Sequence, residues 1–147
     1  MAPNAIPVGD AGAYPGQRLG LPAEGRGALA SWQQRLTALA VDWLASMVVA
    51  IGLFGLGVVN GSGGWRGWMV MAVYFVESTV LCTFAAGSFG QLVTRIAVVR
   101  LEAAPLGLLR SAARAALVCV VIPAVVIGAD RRGLHDVAVG TVVIRRR

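Results

Sequence analysis

Two apolar runs constrain this chain more than anything else in it. Residues 36–59 hold about 24 residues with a single charge, Asp42, and residues 68–86 hold about 19 with a single charge, Glu77. At a rise of 1.5 Å per residue the first run gives roughly 36 Å of helix, enough to cross a hydrocarbon core of about 30 Å, and the second meets the same length criterion. Composition agrees. Hydrophobic residues make up 57% of the chain and charged residues only 14%, against roughly 25% charged in soluble domains. The chain is expected to be an all-α membrane protein built on a helical hairpin.

The hairpin loop joining the runs carries glycines that break both helices, and Trp65 and Trp68 suit the headgroup layer. A third apolar region over residues 106–129 is shorter than it looks, because Arg110 and Arg114 enter its first third and Pro123 interrupts the rest. It is expected either to cross, with the arginines snorkelling to an interface, or to enter and leave on one side.

All thirteen basic residues are arginine. Arg18, Arg26 and Arg35 precede the first run, Arg95, Arg100 and Arg110 follow the second, and the loop between has only Arg66. The positive-inside rule therefore places the N-terminus in the cytoplasm, in the plasma (inner) membrane of what the all-arginine, alanine-rich composition suggests is a bacterium. Residues 94–101 and 140–146 are short, β-branched and bounded by turn or charge signals, so both read as strands. Neither is stable unpaired, and pairing them requires both to lie on one side of the membrane. A small cytoplasmic two-stranded element is the expectation. Residues 1–30, rich in proline, glycine and alanine, read as a disordered cytoplasmic tail, leaving residues 31–147 as the membrane domain.

Cys82 and Cys119 sit in apolar runs at unrelated spacing, and His135 has no partner at ligand spacing, so no metal site and no cofactor is expected. The net charge of +6 is explained by topology and by attraction to anionic headgroups rather than nucleic acid, since no aromatic platform interleaves the arginines. Motifs of soluble enzymes are absent.

Arg35-x-x-Ala38-x-x-x-Asp42, the Ser88-Phe-Gly90-Gln-Leu92 turn, and the closing Arg131-Arg-Gly-Leu-His-Asp136 block followed by Gly140-Thr-Val-Val143 together resemble the RDD family of membrane proteins, from about residue 31 to residue 146. The resemblance places the arginine and two aspartates of the family's name at Arg35, Asp42 and Asp136. Family members often carry a Gly-Lys pair in the turn after the second span, where this chain has Gly90-Gln91. A transport role has been proposed broadly for the family, and many members have no assigned activity.

A carboxylate within a membrane helix costs about 2.5 to 3.5 kcal/mol on insertion scales unless it is paired or protonated. Arg35 is two turns from Asp42, about 10 Å along the axis, so their direct pairing is marginal. Arg114, with Arg110 one turn before it, is a structural partner for Asp42. Glu77 is the competing neighbour: its depth differs from that of Asp42 by only ~5 Å, and two such carboxylates could hold a proton or a cation. Asp136 belongs to a cytoplasmic turn, capping it or accepting from Arg35, Arg131 or Arg132. Two functions follow: a non-enzymatic membrane component of a homo-oligomer or larger complex, or a proton-linked or cation-linked transporter using Asp42 and Glu77.

Overall fold

The computed structural model describes residues 14–60, 64–102, 104–120 and 132–146. Helix α1, Trp32–Phe54, opens on a capping box: Gln34 N–H donates to Ser31 Oγ at 3.2 Å and Ser31 N–H to Gln34 Oε1 at 3.1 Å. It starts earlier than the expected span and stops at Gly55, whose φ of 78° suits glycine. A short 3-10 turn at Leu56–Val58 follows. Helix α2, Met69–Ala85, continues a 3-10 turn at Trp65–Trp68, and the two together run 21 residues. These are the two helices among the described residues that are long and apolar enough to cross a membrane.

The packing of this hairpin is inverted relative to a water-soluble protein. Ala38, Asp42, Ser46 and Ala50 recur every fourth residue on α1 and are its buried stripe, while Leu44, Val48 and Leu53 are exposed. On α2 the buried residues are Tyr74, Ser78, Thr79 and Cys82, and Val76, Val80 and Phe84 face outward. Small and polar inside with large and apolar outside is the arrangement that suits lipid, where close backbone approach and interhelical polar contacts replace the hydrophobic effect. Trp43 stacks on Tyr74 with ring centroids 5.3 Å apart and planes 4° from parallel, tying the two helices together.

After α2 the chain turns through Ala86, with φ of 53°, into a short helix α3, Phe89–Val93, which lies across α1. Strand β1, Ile96–Arg100, follows; helix α4, Leu108–Cys119, packs on α2; helix α5, Leu134–Val139, packs on α4; and β2, Thr141–Arg145, closes the chain. The strands pair antiparallel, with Ile96 opposite Arg145 and Arg100 opposite Thr141. They occupy the interiors of the two segments expected from sequence. Ile96, Val98 and Val143 turn into the core, against Ala30, Ala38, Cys82 and Leu106.

The described part of the expected disordered tail is not structureless. Residues 28–30 form a third member of the sheet beside β2: Leu29 bridges Ile144, Ala30 N–H donates to the Val143 carbonyl at 2.9 Å, and Arg145 N–H donates to the Ala28 carbonyl at 2.8 Å. The physical reason is the open edge of β2, whose backbone groups would otherwise be unpaired. Ala28, Leu29 and Ala30 are buried as a result. Residues 1–13 lie outside the described residues.

Helix α4 has 12 residues, about 18 Å at 1.5 Å per residue, too short to cross a core of about 30 Å by itself. The rest of the expected third segment, residues 121–129 with Pro123, lies outside the described residues.

Candidate functional site: two carboxylate nodes beneath the sheet

Asp42 lies on the buried stripe of α1, and its partner is α3. The Gly90 N–H donates to Asp42 Oδ1 at 2.5 Å and the Ser88 hydroxyl to Oδ2 at 2.6 Å. Glu77 reaches the same short helix from α2, accepting the Phe89 N–H on Oε1 at 3.0 Å. Ser88 N–H donates to Gln91 Oε1 at 3.0 Å. The first N–H groups of a helix have no partner within it, so here both membrane carboxylates and Gln91 are spent on one helix start. Gln91 acts as a cap.

Asp136 is the second node and is fully buried. It sits in the first turn of α5, where Arg114 from α4 donates Nε–H to Oδ1 at 3.0 Å and Arg35 from α1 brings Nη1 to within 3.6 Å of Oδ2. Thr141 donates its hydroxyl to Oδ1 at 3.2 Å, and His135 Nε2 is 3.4 Å from the same oxygen. Burial alone would push this carboxyl up, but the charges of Arg114, His135 and Arg35 hold it below the ordinary carboxylate range. Arg132 extends the node through backbone carbonyls, donating to those of Asp136 at 3.2 Å and Thr141 at 3.1 Å. Arg35 likewise donates Nε–H to the Ala30 carbonyl at 3.3 Å and an Nη2 hydrogen to that of Val143 at 3.4 Å.

Arg35 meets Asp136, as one of the expected partners, but Arg114 does not go where it was expected. Arg114 pairs with Asp136 rather than Asp42, with its Nη1 3.9 Å from Cys82 Sγ on α2. Arg110 donates to the Val139 carbonyl at 3.3 Å. Depth alone made Arg114 a candidate for Asp42; α3, which fills the face of α1 at Asp42, and α5, which delivers Asp136 to α4, decide otherwise. Arg131 lies outside the described residues. Ser88 and Gly90 are the polar contacts that sequence reasoning passed over, although Ser-x-x-Gln directly after a span is a capping signal.

The partly open space between the nodes, bordered by Arg35, Asp42, Tyr74, Gln91, Arg114 and Asp136, is about 50 Å³. A space of that size has room for a few waters. In the membrane helices, Ser46 on α1 lies beside Glu77 on α2, Ser78 lies beside Tyr74 and Cys82, and the Thr79 hydroxyl is buried with no hydrogen-bond partner among the described residues.

A family model described as the RDD family matches residues 29–140. The chain belongs to the RDD family. Nothing among curated proteins or solved structures matches it. The RDD family is one of membrane proteins, in keeping with the inverted packing of α1 and α2. The family match runs from the strand-like segment before α1 through Gly140, so it includes both nodes and the start of α3. Within this RDD protein Arg35 and Asp136 meet across the chain, and Asp42 holds α3 instead.

Proposed function

We propose that this RDD protein is a non-catalytic, multi-pass component of a bacterial plasma membrane, working as a homo-oligomer or with another membrane protein. On this reading residues 28–30, β1 and β2 lie on the cytoplasmic side. The observation that carries the reading is the use of Arg35, Asp42 and Asp136 in contacts within the protomer, around a space of about 50 Å³. The joining of residues 28–30, β1 and β2 in one sheet supports a return to the starting side, and the arginine distribution supports the cytoplasm as that side. Exposed Leu44 and Val48, one turn apart on α1, offer an apolar face for a neighbouring span or for lipid. Mass measurement of the detergent-solubilised protein, with affinity capture from native membranes, should find more than one copy or a co-purifying membrane protein at fixed ratio. A lone protomer with no partner would contradict the proposal.

One observation favours a second reading, proton-linked or cation-linked transport. Asp42 and Glu77 converge on adjacent residues of α3, and Ser46, Ser78 and Thr79 add buried hydroxyls in a membrane hairpin, an arrangement that in lipid marks ion or proton pathways as well as helix contacts.

A further inference from the structure

Where α2 leaves its apolar environment, a cleft of about 570 Å³ opens between the helix end and the sheet, bordered by Arg26, Phe84, Ala86, Ile144, Arg145 and Arg146. Its size falls within the range of about 300 to 1,000 Å³ usual for small-molecule clefts. Three guanidinium groups from two distant parts of the chain meet there, and among the described residues no acidic side chain lines it. None of the three takes part in an ion pair among the described residues. Arg146 is anchored, donating Nε–H to the Ile96 carbonyl at 3.2 Å and an Nη2 hydrogen to the Ala85 carbonyl, whereas Arg145 Nε is buried with no hydrogen-bond partner and Arg26 is exposed.

The apolar side of the cleft gives the ligand its second half. Phe84 is 84% exposed, and Val80 and Val76, one and two turns before it on the same face of α2, are exposed as well. That stripe runs about 12 Å into the membrane from the cleft. A concentrated positive charge at the headgroup level, continuous with an apolar track along a membrane helix, matches one molecule of mixed chemistry: a phosphate carrying acyl chains. We infer that the cleft binds an anionic phospholipid, its phosphate between Arg26, Arg145 and Arg146 and an acyl chain along Phe84, Val80 and Val76. The site goes beyond diffuse attraction of basic residues to an anionic surface, because it is a defined cleft that uses Arg26 from the N-terminal segment to clamp the lipid against β2.

The test is native mass spectrometry of the full chain in detergent, titrated separately with phosphatidylglycerol and with phosphatidylcholine of matched acyl chains, and with inorganic phosphate as a competitor. Phosphatidylglycerol should be retained in preference, and inorganic phosphate should not displace it. Arg26→Gln, at an exposed position that holds no part of the fold, should weaken retention about fivefold, and Arg26→Gln with Arg145→Gln should weaken it further by a similar factor. Arg66→Gln, in the opposite loop, should change nothing. Equal retention of the two lipids, displacement by inorganic phosphate, or an Arg66→Gln loss as large as that of Arg26→Gln would each overturn the inference.

Discussion

Gly90→Ala should remove most of the folded protein from the membrane, with a loss of about 3 kcal/mol or more. A Cβ at this position would lie 1.9 Å from the Ala38 carbonyl oxygen, 2.8 Å from its carbon and 3.0 Å from Asp42 Cγ. The obstacle is the backbone of α1, which cannot swing away as a side chain could. Overpacking of this kind costs about 1 to 3 kcal/mol where neighbours adjust. Here relief requires α3 to lift from α1, which also takes the Gly90 N–H from Asp42 and leaves a buried carboxylate short of a donor, at a further cost of about 1 to 3 kcal/mol. Thermal melting in detergent and abundance in the membrane read the effect. Gly52→Ala is the matched control within α1: nothing lies within 4 Å of its added carbon, so its melting should equal or slightly exceed that of the parent.

The second large effect is expected at Asp136. Asp136→Asn keeps the shape of the side chain and removes the charge that Arg114 and Arg35 share. Arg114 is buried, as is Asp136, so the substitution strands a guanidinium in a dry setting. Breaking one partner of a buried ion pair costs about 3 to 5 kcal/mol, most of it the cost of the remaining charge. Replacing Arg114 by methionine in the Asp136→Asn background should therefore recover part of the loss in the same melting assay. A substitution at the surface pair offers the contrast. Glu102, whose side chain is 72% exposed beside Arg100, should tolerate change to glutamine within about 0.5 kcal/mol. Equal losses for Asp136→Asn and Glu102→Gln would remove the second node from the account.

The hairpin and the strand pair were legible in the sequence for a simple reason: each depends on features that survive in one dimension. The length of an apolar run states whether a helix can cross, and short β-branched segments at 94–101 and 140–146 need one another as partners. The ionic partners were legible only in part: Arg35 was among those expected for Asp136 and meets it, whereas Arg114 was assigned to the wrong aspartate. Asp42 and Arg114 were matched by depth along the membrane normal, but a partner is also chosen by the face it presents, and that depends on how α4 and α5 pack. Helix α3 shows the difference most clearly. Five residues, Phe89–Val93, carry no periodicity long enough to predict, yet their position against α1 decides what Asp42 touches. The resemblance did point to the Ser88 to Leu92 turn and to Asp136, without saying what either held. Residues 28–30 were hidden for another reason, since Ala-Leu-Ala has little strand character of its own and takes extended form only because β2 offers an open edge.

The central claim is that Asp42 braces α3 against α1 rather than serving an ion path, and the purified protein in sealed vesicles tests it most directly. Asp42→Asn exchanges one acceptor oxygen for a donor amide facing either the Gly90 N–H or the Ser88 hydroxyl. The account predicts no proton or cation flux from the parent protein under an imposed gradient, and a lower melting temperature with reduced assembly for Asp42→Asn. Gradient-dependent flux from the parent protein that Asp42→Asn abolishes, with melting and assembly unchanged, would contradict it.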